Sequence, residues 1–140
     1  MSQQVDFYLL SAAGDDAREH FVCRLAQKAL GRDLQVHIFA ADGPGAERLD
    51  TLMWTFAEDS FLPHESWQAG PPEAPVTIGS VGAGVPAGTE IIINLADLPS
   101  SDTSIRIAEV VAGDESSKAN GRQRYAAYRD RGCQLTAHNL

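Results

Sequence analysis

The hydrophobic pattern predicts strands and helices that alternate along the first half of the chain. Residues 5–10 form a short apolar run of strand type. Apolar residues then recur at helical spacing through residues 21–30, and Gly31 is placed to end that helix. A second strand is predicted at 34–39 and a second helix at 46–56. This β-α-β-α order is typical of a parallel α/β sheet.

The second half is richer in Gly and Pro. Residues 58–75 carry four prolines and are predicted to be mostly loop, and the Gly-rich segment 79–88 is predicted to be a hairpin-like loop. Further strands are predicted at 76–79, 90–95, 105–111 and, as an edge strand, 133–137. There is no internal repeat and no interdomain linker. The prediction is therefore one Rossmann-like α/β domain over residues 1–140, with a mostly parallel sheet flanked by helices.

The composition indicates a globular protein of the cytoplasm. The chain has 140 residues, enough to bury a full core in one domain. No apolar run reaches the roughly 18 residues that a membrane span needs, and the first residues do not resemble a signal peptide. Cys23 and Cys133 are far apart and are expected to be reduced thiols, with Cys23 buried on a helix.

The charge distribution is uneven. The chain carries 11 Lys and Arg against 19 Asp and Glu, a formal charge of -8. Residues 118–131 hold five of those cations and a single acid, Asp130, so that segment is +4 and the remainder is -12. A compact basic patch on an acidic protein points to an anionic partner. The acidic remainder argues against direct nucleic-acid binding, which depends on many phosphate contacts.

The basic segment also has helical order. Steps of four, three and four residues put a set of side chains on one helix face: Lys118, Arg122, Tyr125 and Arg129. Asp114 or Ser116 could cap the helix, and Gly132 could end it in a left-handed conformation. Three cations around one aromatic ring suit a ligand with a carboxylate and an apolar side chain. The alternative is a solvated basic face favoured by the helix dipole. The Asn120-Gly121 pair weakens the helix and leaves the register of its first turn, and with it Lys118, open.

No catalytic or cofactor-binding motif is present. The segment 79–88 lacks the Lys-Ser/Thr of a phosphate loop, and a strand rather than a helix is predicted after it. The four histidines have no metal-ligand spacing with Cys, Asp or Glu, and no Gly-x-Ser-x-Gly elbow occurs. We therefore expect no catalytic residues, no metal and no cofactor.

Residues 52–64 concentrate a Trp, two Phe and two Leu around a helix end and a Pro-containing loop. Such apolar surface either packs as a small core under the loop or docks against another protein. The composition does not separate these two interpretations.

Taken together, three segments resemble the chi subunit of the bacterial DNA polymerase III holoenzyme, and the resemblance covers nearly the whole chain. They are the opening run 5–10, the middle region with Leu49, Asp50, Trp54 and 60–64, and the closing run 124–129. The resemblance implies a non-catalytic adaptor that binds the acidic C-terminal tail of single-stranded-DNA-binding protein and pairs with the psi subunit of the clamp-loader complex. DNA would then be contacted only indirectly, and no membrane is involved.

Carried over by position, the resemblance implies two sets of contact residues. The tail site would comprise Val111, Lys118, Arg122, Tyr125 and Arg129. The psi interface would comprise Trp54, Phe61, Leu62, Pro63 and His64. Two other functions stay open from the residues alone: an α/β enzyme of unknown substrate, and a direct single-stranded-DNA binder that stacks bases on the tyrosines of the basic segment.

Overall fold

The computed structural model describes residues 2–56 and 62–140, and its central feature is one seven-stranded sheet. The strands are β1 (Gln4–Leu9), β2 (Val36–Phe39), β3 (His64–Ser66), β4 (Val76–Gly79), β5 (Ile91–Asn94), β6 (Arg106–Val111) and β7 (Gln134–Asn139). They lie in the order β3-β4-β2-β5-β6-β1-β7, and every neighbouring pair is parallel. The predicted Rossmann-like α/β fold is confirmed.

Three helices flank the sheet: α1 (Gly14–Leu30), α2 (Gly43–Thr55) and α3 (Glu115–Asp130). Helices α1 and α2 pack together on one face, where the core includes Val22, Leu49 and Ile38. Helix α3 covers the other face through Tyr128. Because side chains alternate along a strand, β1 directs Phe7 to the α3 face and Tyr8 to the α1 face.

The helix boundaries follow from local capping. Asp42 Oδ1 accepts a hydrogen bond from the Gly45 N–H at 2.7 Å, so α2 begins three residues before the predicted start. The carboxylate of Asp114 caps α3 by accepting from the Ser117 N–H at 3.1 Å, which confirms one of the two predicted caps. After α3, Gly132 adopts a φ of 82°, the predicted left-handed turn.

One loop prediction was wrong. The segment 79–88 is not hairpin-like, because β4 and β5 are parallel and β2 lies between them. The segment crosses over β2 and contains a short 3-10 turn, Val81–Ala83. The described residues of the segment 58–75 are mostly loop, as predicted, but they also contain β3, which joins the sheet through three residues paired with β4. A strand that short has no recognisable sequence period.

Within the described ranges, no helix is both long and apolar enough to cross a membrane.

Candidate functional site

The carboxyl ends of β1 and β6 lie side by side and form a topological switch point of the sheet. Helix α1 leaves β1 on one face and α3 leaves β6 on the other, and ligands of open α/β sheets bind at such a switch point. The two exits are held together by hydrogen bonds. The Gly113 N–H donates to the Ala12 carbonyl at 2.8 Å, and the Gly14 N–H donates to Asp114 Oδ1 at 3.1 Å. The starts of α1 and α3 are therefore fixed relative to each other.

A cavity of about 440 Å³ lies at this edge on the α3 face, and we call it the α3 cavity. Its wall is made by the ends of β1, β6 and β7 and by one side of α3. The lining residues are Phe7, Leu9, Leu10, Ser11, Val111, Ala112, Lys118, Gly121, Arg122, Tyr125, Ala137, Asn139 and Leu140. Among the described residues, this lining contains two cations and no acid. The cavity therefore combines an apolar wall with a positive rim.

Four of the five residues predicted for the basic site meet in the α3 cavity: Val111, Lys118, Arg122 and Tyr125. The Tyr125 ring packs edge-on against Phe7, with centroids 5.2 Å apart, and keeps 38% of its surface exposed. Arg129 does not line the cavity, and its guanidinium lies 3.6 Å from Asp130 at the exposed end of α3. Its role stays a prediction.

Gly121 allows α3 to lie directly on β6. A Cβ at this position would stand 2.9 Å from Val111 Cγ2, closer than carbon atoms pack. The helix is continuous from Glu115, so Lys118 lies inside it and faces the cavity. The glycine that weakened the helix prediction is therefore the point of closest contact between helix and strand.

A buried polar network under α3 was missed by the sequence analysis. Glu109 of β6 is fully buried and accepts three hydrogen bonds: from Arg124 Nε at 2.9 Å, Asn94 Nδ2 at 2.8 Å and the Tyr128 hydroxyl at 2.6 Å. The Tyr128 oxygen in turn accepts from the Ser100 N–H. A lone acid inside the apolar strand 105–111 was the available sequence signal.

Burial and hydrogen bonding have opposite effects on the pKa of Glu109. Burial raises the pKa of Glu109, while the charge of Arg124 and the donated hydrogen bonds favour its carboxylate form. Burial, followed by the Glu109 charge, raises the pKa of Tyr128, so its hydroxyl stays protonated and donates. The network anchors α3 to the sheet and thereby orients the helix side that lines the cavity.

The second predicted set of residues lies beside β3, at the opposite sheet edge. We call Trp54 and Pro63, together with the adjoining buried residues Leu62 and His64, the β3-edge surface; Phe61 lies outside the described residues. Trp54 is 55% exposed, and its ring centroid lies 4.7 Å from that of His64. His64 Nε2 is 3.1 Å from Asp50 Oδ1. Leu62 is buried in the α1–α2 core, so its side chain supports the surface from below.

His37 and Cys23 are both fully buried. His37 Nδ1 lies 2.7 Å from Thr77 Oγ1, and burial lowers the pKa of this histidine to about 4. Burial, with a smaller contribution from Glu19, raises the pKa of the Cys23 thiol to about 12. In residues 2–56 and 62–140, no group of three His, Cys, Asp or Glu side chains could hold a metal ion.

Similarity to known proteins spans the whole of this architecture. Residues 1–136 match the family described as "DNA polymerase III chi subunit, HolC". The chain is 34% identical to DNA polymerase III subunit chi of Pseudomonas aeruginosa, over 98% of this chain and 96% of that protein. It is 33% identical to the Escherichia coli protein of the same name, over 92% of each. The Haemophilus influenzae protein of that name is 26% identical over 100% of this chain.

Proposed function

The chain belongs to the family of DNA polymerase III chi subunits, which are accessory and not catalytic, and from that premise we propose that it is a replisome adaptor with two partners. One partner is the acidic C-terminal tail of single-stranded-DNA-binding protein, received in the α3 cavity. The other is the psi subunit, received at the β3-edge surface. Through psi, the chain links the coated DNA strand to the clamp loader during replication.

The observation that carries the tail assignment is the convergence of Lys118, Arg122, Tyr125 and Val111 in one cavity without an acidic wall. A tail that ends in acids and a C-terminal Phe brings carboxylates and one aromatic ring. The carboxylates suit Lys118 and Arg122 at the rim, since charge-assisted hydrogen bonds are stronger than neutral ones. The ring suits the apolar wall beside Tyr125, where aromatic pairs add to the area buried.

Weak binding is sufficient for this function. Single-stranded-DNA-binding protein presents its tail many times along a coated strand, so a released adaptor meets another tail at high effective concentration. The polymerase assembly would thereby stay at the lagging strand although the chain itself makes no DNA contact.

The tail assignment is tested by fluorescence anisotropy with a labelled peptide that ends in Asp-Asp-Ile-Pro-Phe. We expect saturable binding that is lost when the final Phe is removed and that weakens as salt is added. Arg122→Ala should weaken binding about tenfold, because it removes a charge-assisted contact.

Thr51→Glu serves as the matched control, because it changes the net charge by the same amount at an exposed position on α2. It should bind the peptide like the unmodified chain. Equal binding by Arg122→Ala and the unmodified chain would remove the α3 cavity from the proposal, and no binding of either peptide would remove the tail function itself.

The psi assignment is supported by the exposed indole of Trp54 near the end of α2, beside the His64 ring. Aromatic anchors of this kind dominate interface energetics. Trp54→Ala should therefore weaken retention of the psi subunit of the same organism about tenfold or more in a pull-down titration. Leu98→Ala removes a side chain that is 75% exposed elsewhere and should leave retention unchanged. Equal loss in both variants, or no loss in Trp54→Ala, would contradict the assignment.

A further inference from the structure

A second cation-lined groove lies on the opposite face of the sheet from the α3 cavity. It has a volume of about 430 Å³ and runs between the flank of α1 and the strands β1 and β7. We call it the α1 groove. Its floor is apolar and half-buried, formed mainly by Tyr8, Phe21, Leu25 and Leu34. Helix α1 packs over β2 and β6 and α2 over β3 and β4, so only the side of α1 reaches this part of the sheet.

Five basic side chains converge on the rim of the α1 groove. Arg24 and Lys28 of α1 and Arg32 of the turn after it line one side, and Arg106 of β6 and His138 of β7 stand opposite. Outside the segment 118–131, the chain has only six Lys and Arg, so four of them surround this one groove. No acid belongs to its lining in the described ranges. In a chain with a formal charge of -8, an ordinary solvated surface would not be expected to gather four of these six cations around one groove.

Within the described ranges, three of these five side chains are in no salt bridge, and the other two share one partner. Arg106 lies 2.9 Å from Asp6 Oδ2, and His138 lies 3.2 Å from Asp6 Oδ1, so one buried carboxylate serves both. Among the described residues, no salt bridge involves Arg24, Lys28 or Arg32. The dipole of α1 favours cations in its last turn, which accounts for Lys28 but not for Arg24 or for the basic groups of the facing strands.

We propose that the α1 groove binds an extended acidic peptide segment that carries large apolar side chains. Arg24 and Lys28 are one helical turn apart, about 6 Å along the axis. Alternate residues of an extended peptide are spaced by about 6.6 Å, which matches that step. Acidic side chains at alternate positions then face α1, and the side chains between them face the apolar floor.

The aromatic arrangement of the floor fits an apolar side chain better than solvent. Tyr8 stacks on His138 with centroids 4.8 Å apart and meets Phe21 at 5.2 Å, which gives a continuous ring surface below the cations. A peptide of a few residues stays inside this patch. A nucleic acid strand long enough to bind would leave the patch and meet the acidic remainder of the chain, where phosphates are repelled. This favours a peptide over a nucleic acid.

The test is a two-dimensional amide NMR titration of the full chain with the peptide acetyl-Asp-Phe-Asp-Leu-Asp-amide. Because its C-terminus is an amide, this peptide has no terminal carboxylate and does not mimic the tail ligand of the α3 cavity. We expect saturable shifts of the amides of Phe21, Leu25 and His138, also in an Arg122→Ala background. The double variant Arg24→Gln, Lys28→Gln should bind about fivefold more weakly, since it removes two exposed charge contacts and keeps good helix formers.

Matched controls distinguish an effect of net charge from an effect of the residues in the α1 groove. The double variant Thr51→Glu, Gln68→Glu changes the net charge equally at exposed positions that line no described cavity, and it should bind normally. The peptide acetyl-Asn-Phe-Asn-Leu-Asn-amide should not bind. Absence of shifts at millimolar peptide, shifts confined to α3, or shifts with oligothymidylate in place of the peptide would overturn the inference. None of these outcomes affects the tail experiment, which uses a free C-terminal Phe and Arg122.

Discussion

Arg124 and Tyr125 are neighbours in the sequence but have opposite environments. Consecutive side chains on a helix point about 100° apart, so Arg124 turns towards the sheet, where it is 3% exposed, while Tyr125 faces the α3 cavity. Arg124 is held by the buried Glu109 carboxylate. Removing one partner of such a pair leaves a buried charge uncompensated, which is strongly unfavourable. The pair therefore fixes the rotation of α3 about its axis, and with it the residues that reach the cavity.

The buried His37 makes the stability of the fold depend on pH. Its folded-state pKa is lowered to about 4 from an ordinary value of 6.5, so between these values the unfolded chain binds more protons than the folded chain. The contribution of His37 to the free energy of unfolding is therefore fully present well above pH 6.5 and is lost as the pH decreases towards 4. The loss from this residue should be about 2 kcal/mol at about pH 5.

Urea denaturation at about pH 7.5 and about pH 5 measures this effect. His37→Gln, which cannot titrate, should show a smaller decrease in the free energy of unfolding between the two pH values than the unmodified chain. His20→Gln replaces an exposed histidine and should retain the full decrease. Identical pH dependence of His37→Gln and the unmodified chain would contradict the assignment.

At the scale of elements, the contact between α3 and β6 depends on Gly121. Alanine is favoured over glycine inside a helix by about 1 kcal/mol. Here the added methyl group would stand 2.9 Å from Val111, and overpacking of this kind costs about 1–3 kcal/mol. The second effect is larger, because the strand is central and neither backbone can move without disturbing the Glu109 network.

Gly121→Ala should therefore lower the free energy of unfolding by about 1 kcal/mol, measured by urea denaturation. The same substitution made together with Val111→Ala should be less harmful than the sum of the two single changes, because the smaller strand residue leaves room for the methyl group. If Gly121→Ala instead stabilised the protein as helix propensity alone predicts, the close approach of α3 and β6 would not be the reason for the glycine.

The sequence pattern predicted the elements that have a period and missed those that lack one. Strands and helices with regular apolar spacing, such as α2 and β6, were placed within three residues, whereas α1 begins seven residues before the apolar pattern that predicted it. The three-residue β3 and the crossing at 79–88 were not, because their structure depends on strand order. The same limit applies to the α3 cavity. Helical spacing identified its Lys118, Arg122 and Tyr125, whereas Phe7 and Leu9 join it only because β1 lies beside β6.

At the scale of the whole molecule, the surfaces proposed for the tail and for psi lie at opposite ends of the sheet. The α3 cavity borders β6, β1 and β7, and the β3-edge surface borders the other edge strand. Four strand spacings separate β6 from β3, about 19 Å. An adaptor benefits from this separation, since both partners can be held at once without competing for surface.

The separation predicts that the two surfaces act independently. Changes more than about 7–10 Å apart with no shared partner are usually additive to within about 0.5 kcal/mol. Trp54→Ala should therefore leave the affinity for the tail peptide unchanged, and Arg122→Ala should leave psi retention unchanged. Anisotropy titrations of the peptide with and without saturating psi provide the sharper measurement, because reciprocal coupling would appear as a shift in peptide affinity. A change of several-fold in either direction would mean that the sheet transmits a conformational difference between its edges. Equal affinities would leave the chain a rigid spacer, whose function is to keep two contacts apart.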